Sequence, residues 1–200
     1  MAVLRRPGGC LLQIDSDRVD AHRFRRLVDR ARRPDIAAAT QAQLLRQALD
    51  LWRGPALADL SSGWAGRVRH TLQQHRLAAA RRWAQVELQL GRPGTVVEEL
   101  LGLTAEHPSV EPLLALLMCA LHADGRDAEA LEQYASARGR LAEELGVDPG
   151  PELRRVHEAR GQFSRVVDTR GRMTDQMVAD LSARAETQVT ALPGGNGGVL

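Results

Sequence analysis

Apolar residues recur at three- and four-residue spacings along most of this chain, and each run ends in glycine or proline, the pattern of consecutive amphipathic helices. Phe24, Leu27, Val28 and Ala31 form the first stripe, which runs up to the arginines before Pro34. Asp20 stands where an N-cap would accept hydrogen bonds from free amides of the first turn, with Val19 and Phe24 placed as a hydrophobic staple around it. Leu44, Ala48 and Leu51 mark a second helix that stops at "WRGPA", where Gly54 and Pro55 break it. Val68, Leu72, Ala80, Ala84 and Leu88 give a long helix from about Trp64 to Leu90, ended by Gly91. Val96, Leu100 and Leu103 mark the next, ending near His107 and Pro108; Leu114, Leu117, Met118 and Leu121 mark another, ending at Gly125. Ala130, Tyr134, Ala137, Leu141 and Leu145 follow, closed by Gly146, and Pro151 opens a shorter helix through Leu153 and Val156. Proline costs nothing at a first helical position, because the amide it lacks would have no partner there.

The two ends differ. "GGCLLQI", residues 8 to 14, is a short apolar run closed by "DSD" and predicts one strand, a hairpin leg. A lone strand leaves both backbone edges unpaired, so it needs a partner from elsewhere, unless it is the trimmed end of a domain. Beyond Gly161 the stripe thins. "MTDQMVADLSARAETQ" offers one weak helix and "LPGGNGG" a flexible end, so residues 162–200 are expected to be a linker or tail.

Gly91 and Gly125 lie 34 residues apart, the period of a tetratricopeptide repeat. Counted from these glycines, Val96 matches Ala130, Leu100 matches Tyr134 and Leu103 matches Ala137, and Pro108 falls where such a repeat ends. The usual glycine of the first repeat helix is replaced by Ala84 and Met118. The expected fold is therefore all-α: an antiparallel helix-pair array of about seven helices, with a short N-terminal strand and a flexible tail.

Composition agrees. Aromatics are 3% of the 200 residues against 44% apolar overall, so the core must be built from leucine, alanine and valine, which favours packed helices. The apolar run Leu113 to Leu121 is about half of a membrane span, and Arg5 and Arg6 follow Met1–Leu4 too closely for a secretory signal. Cys10 and Cys119 stand in no paired spacing, so two reduced thiols and a cytoplasmic location are expected. The net charge of +2 hides an asymmetry. Residues 1–92 hold 17 arginines against 8 acids, residues 93–161 hold 6 against 13, and no lysine occurs. The acidic half is either a surface for a basic partner or a solvated helical face.

No catalytic constellation emerges. His22, His70, His75, His107, His122 and His157 never pair at the three- or four-residue spacing that puts two metal ligands on one helical face. "GRPGT" lacks the lysine and preceding strand of a phosphate-binding loop, and the serines lack a nucleophile elbow. Glu143, Glu144 and Asp148 sit at a helix end, where acids are usually solvated. No enzyme, cofactor or metal is expected. "RRLVDRARR" places Arg25, Arg26, Arg30, Arg32 and Arg33 on or near one helix, but Asp29 interrupts it and no aromatic platform accompanies it, so no DNA-binding residue is identified.

Several segments together carry a family resemblance: "GGCLLQIDSDRVDAHRFRRLVDRAR", "ALDLWRGPALADL", "ELQLGR" and "HPSVEPLLALLMCALHADGRDAEALEQYASARGRLAEELGVDPGPELRRVHEA". Over residues 8–161 the chain resembles the bacterial transcriptional activation domain, the module that follows a winged helix in antibiotic-regulatory-protein (SARP) type activators. The resemblance implies a division into 1–15, the remnant of the winged helix's last strand; 16–161, the activation domain; and 162–200, the tail. It implies transcription regulation through RNA polymerase subunits or a second copy of the chain, with DNA reached only through a winged helix whose recognition helix has no counterpart here. Cys10 stands where the family strand usually has an aromatic. The chain is then either a fragment of such a regulator or a free-standing module. Asp20, Phe24, Trp52, Arg53, Gly54, Gly91, Pro108, Gly125, Arg126, Tyr134, Gly146, Pro149 and Pro151 are the motif residues, expected to hold the fold rather than to touch a partner. A tetratricopeptide-like adaptor unconnected with transcription, binding a peptide in its groove, is the alternative.

Overall fold

The computed structural model describes residues 2–159, so the expected tail lies outside the described residues. Strands β1 (Ala2–Arg6) and β2 (Gly9–Gln13) come first, followed by a 3₁₀ turn (Ser16–Arg18) and helices α1 (Asp20–Ala31), α2 (Ala38–Leu49), α3 (Gly63–Gln89), α4 (Pro93–Glu106), α5 (Glu111–Ala123) and α6 (Asp127–Arg140). A π-helical turn (Leu141–Leu145) extends α6, and α7 covers residues 151–159. The all-α expectation holds, with seven α-helices among the described residues. The described residues divide into two compact units, 2–90 and 91–159.

In the first unit the expected strand has its partner close by. β2 pairs antiparallel with β1, Val3 opposite Leu12 and Arg5 opposite Cys10, around a turn in which Gly8 takes φ +91°. The leg "AVLRR" is hard to see in sequence because two of its five residues are arginines. Helix α1 packs on α2, and α2 on α3. Phe24, Val28 and Ala31 face inward as expected, and Leu44, Leu45, Ala48 and Leu49 meet them from α2. Asp20 is not the N-cap. Val19 occupies the cap position without a side-chain hydrogen bond, and the Asp20 carboxylate, already in the first turn, accepts from the Ala21 amide at 2.7 Å. The acid still suits the positive end of the helix dipole there. Helix α2 also stops at Leu49, before Gly54; tight turns from Leu51 and Trp52 back to Ala48 and Leu49 end it locally.

Helix α3 starts on a true cap, Ser62, whose hydroxyl accepts from the Ala65 amide at 3.2 Å. Its first half is one-sided, with Val68 and Leu72 half-buried, whereas Trp83 to Leu88 are buried on every face. Gly91 follows at φ +71°, the left-handed conformation that an L side chain resists.

In the second unit α5 packs on α4, and α6 on α5. Every residue from Leu113 to Leu121 is buried, so the apolar run too short for a membrane is a core helix. No described helix is long and apolar enough to cross a membrane. The 34-residue register survives as burial: Val96 and Ala130 are buried, as are Leu103 and Ala137, and Leu100 corresponds to a half-buried Tyr134. Leu141 is buried, but Leu145 is 61% exposed. The stripe that included it assumed 3.6 residues per turn; the π turn is wider and rotates Leu145 outward.

Candidate interaction surfaces

The motif residues divide between the two units: Asp20, Phe24, Trp52, Arg53 and Gly54 lie in the first, the others in the second. In the first unit Asp20 and Phe24, at the start of α1, meet Trp52, Arg53 and Gly54 of the loop after α2. The Phe24 and Trp52 rings stand edge to face, with centroids 5.8 Å apart and planes at 84°, an arrangement that sets the positive ring edge on the negative face. The Arg76 guanidinium, from α3, lies over the Trp52 ring, 5.6 Å from its centre. Arg69 then clamps the loop: Nε donates to Ala56 O at 2.9 Å, and Nη2 donates to Leu57 O at 2.7 Å and Leu60 O at 2.9 Å. That clamp holds Leu57 at φ +53°, a conformation costly for a branched aliphatic residue.

Together these contacts shape a cleft of about 480 Å³ between α1, α3 and the loop, lined mostly by apolar side chains with Asp20 and Arg53 at its edge. Nothing in its lining can serve as a nucleophile–base pair. Sequence reasoning grouped "WRGP" with the fold but missed Arg69 and Arg76, whose partners lie nine or more residues away. The arginines on and just after α1 face solvent: Arg25, Arg26, Arg30, Arg32 and Arg33 are all exposed, with Asp29 within 3.7 Å of Arg32 and Asp35 held in a two-pronged pair by Arg33. The hydrogen bonds from Arg33 hold the Asp35 carboxyl below its ordinary value. Trp64 and Leu60 are exposed nearby in sequence, at 59% and 48%.

In the second unit the motif residues brace turns. Gly125 takes φ +76°, and the amides of Arg126 and Gly125 donate to Leu121 O at 2.8 Å and His122 O at 3.1 Å, which closes α5 with a Schellman pair. Two side-chain links cross the same turn. His122 Nδ1 pairs with Asp127, and Arg126 grips Glu129 with Nε and Nη2 at 2.7 and 2.6 Å. That grip holds the Glu129 carboxyl below its usual value. Pro108 lies in the turn between α4 and α5, exposed. Tyr134 stacks face to face on His157 of α7, centroids 3.8 Å apart and planes 2° from parallel.

The segment "EELGVDPGP" is fixed at both ends. Gly146, at φ +67°, ends the π turn, and the Val147 amide donates to Leu141 O at 3.2 Å. Pro149 is buried, the Gly150 amide donates to Glu111 Oε2 at 2.6 Å, and Pro151 opens α7 with Leu153 fully buried. Between these anchors Leu145 and Val147 are 61% and 49% exposed, flanked by exposed Glu143, Glu144 and Asp148. The six histidines do not converge, and no group of three or more metal-ligating side chains occurs among the described residues. Cys119 is free and buried, and burial pushes its thiol up to about 12.

Comparison with known proteins places this arrangement. The family model described as the bacterial transcriptional activator domain matches residues 19–159. The regulatory protein DnrI of Streptomyces peucetius is 39% identical over 159 residues, 76% of this chain and 57% of DnrI. The transcriptional regulator RedD of Streptomyces coelicolor is 41% identical over 152 residues, 75% of this chain and 43% of RedD. Among solved structures, Mycobacterium tuberculosis EmbR, determined in complex with a low-affinity phosphopeptide, superposes with a TM-score of 0.75 at 30% identity, over 94% of this chain and 48% of EmbR. The chain thus spans about half the length of these relatives. With the helical order, the braced turns and the family match in agreement, this chain belongs to the bacterial transcriptional activator domain family.

Proposed function

We propose that the chain is the activation module of a SARP-type transcriptional regulator and works through protein contacts, without chemistry of its own. The family match over residues 19–159 carries this reading, since the relatives it is similar to are named as regulators. The second support is physical: braced loops in both units leave apolar and charged side chains exposed. RNA polymerase subunits and a second copy of the chain are the partners this reading assigns. Specific DNA binding falls to a winged helix, of whose C-terminal strand residues 1–15 are the remnant, here a hairpin of β1 and β2. The hairpin suits that role, because Val3 and Leu4, 61% and 43% exposed, offer apolar surface that two strands alone cannot bury. The site of action is the cytoplasm.

The test is a promoter run-off assay with a matching winged helix, alone and fused to this chain. A transcript level raised by the fusion is the expected result. An unchanged level would turn the assignment toward a helical-repeat adaptor unconnected with transcription.

A further inference from the structure

The chain carries an exposed apolar turn and a concave apolar cleft, in regions of opposite net charge. The turn follows α6 and exposes Leu145 and Val147, flanked in sequence by exposed Glu143, Glu144 and Asp148. It is pre-formed: the Val147 amide is held by Leu141 O, the Gly150 amide by Glu111, and Pro149 is buried. A surface that needs no ordering on contact loses little entropy there. The concave one is the Phe24–Trp52 cleft, about 480 Å³, within the size that accepts small apolar groups. Arg53 stands at its edge and Arg69 and Arg76 support its loop, against Asp20 and the exposed Asp59. Over residues 1–92 arginines exceed acids by 9, and over 93–161 acids exceed arginines by 7.

We propose that the acidic turn of one copy seats Leu145 and Val147 in the Phe24–Trp52 cleft of a second copy. The contact is heterologous: each copy offers one turn and one cleft, so association runs head to tail. Apolar burial supplies affinity, and the opposite charges of the two regions steer the encounter and set the register. The proposal rests on reading the chain as a module that works through protein contacts. It stands or falls separately from the transcription assay, because it is read by sedimentation alone.

Leu145 and Ala58, which lines the cleft, are both exposed, so Leu145→Ser and Ala58→Glu alter the two surfaces while leaving the core intact. Sedimentation velocity of the full chain, from micromolar concentrations to roughly 1 mM, should show association weakened by added salt. Each variant alone should associate at least tenfold more weakly, with an unchanged thermal melt. Mixed in equal amounts, the two variants should form a dimer, because the Ala58→Glu copy keeps its turn and the Leu145→Ser copy keeps its cleft. A wild-type chain that stays monomeric throughout overturns the proposal and leaves the cleft to another occupant. Association that survives both substitutions, or a mixture that does not recover it, overturns it equally.

Discussion

The carboxylate of Glu111, in the first turn of α5, accepts a hydrogen bond from the amide of Gly150 at 2.6 Å, across 39 residues of chain. The bond ties the start of one core helix to the segment that launches α7. A Cβ built on Gly150 would lie 3.0 Å from Glu111 Oε2, so a larger residue there would push the carboxylate back by a few tenths of an ångström. Because the acceptor is charged and partly buried, Glu111→Ala should cost about 1.5–3 kcal/mol, and Glu111→Gln less. Urea denaturation of the three proteins checks this. Equal stability of wild type and Glu111→Ala would show the bond to be replaced by water.

The Phe24–Trp52 pair is the second long-range contact that shapes a surface. Phe24 is buried, and Phe24→Ala should cost about 3–5 kcal/mol through lost transfer energy and the cavity left behind. A double-mutant cycle with Trp52→Leu should leave a coupling energy of about 0.5–1.5 kcal/mol, the part due to ring geometry. Strict additivity in that cycle would reduce the pair to ordinary apolar contact.

Two glycines should respond to alanine with opposite sign. Gly125 sits at φ +76°, so Gly125→Ala should destabilise by about 1–2 kcal/mol although nothing crowds the site. Gly102 lies inside α4 with ordinary backbone and open space around it, so Gly102→Ala should stabilise by about 0.5–1 kcal/mol. Thermal melts of both variants check the pair.

His75 carries a pH dependence. Partial burial, with Arg25 and Arg32 nearby, holds its imidazolium pKa below the ordinary value of 6.5. The unfolded chain therefore binds a proton at a pH where the folded chain does not. This contribution to stability is present above about pH 6.5 and is lost as pH falls through the lowered folded value. His75→Gln should flatten the stability profile below pH 6.5, as followed by chemical denaturation at stepped pH. An unchanged slope would assign the dependence to other groups.

Cys119 should be inert while the chain is folded. Its thiol is pushed from 9.0 up to about 12 by burial, with Glu152 adding to the effect. In a Cys10→Ser background, a thiol reagent at pH 8 should react with Cys119 only as fast as the chain opens, and urea should accelerate the reaction steeply. Rapid labelling of the native chain would place Cys119 within reach of solvent.

Much of this protein is written in short-range chemistry. Stripes such as Val96, Leu100 and Leu103 mark a buried face because helix geometry returns every third or fourth side chain to one side. Gly91, Gly125 and Gly146 mark turns because each takes a left-handed φ that other residues resist. The same short range explains the misses. Asp20 satisfies every sequence criterion for a cap, yet the helix begins one residue earlier, and which residue caps depends on how the preceding turn delivers the chain. Leu145 belongs to its stripe only if α6 stays α-helical to the end, and a wider π turn carries it to the surface.

The sequence by itself determined the helices, the turns that separate them and the family, since each depends on residues a few positions apart. Only the tertiary structure decided that Phe24 meets Trp52, that Arg69 clamps a loop behind it and that Glu111 holds Gly150. Those contacts join residues that no periodicity relates, and the surfaces they shape exist only once packing has brought distant helices together.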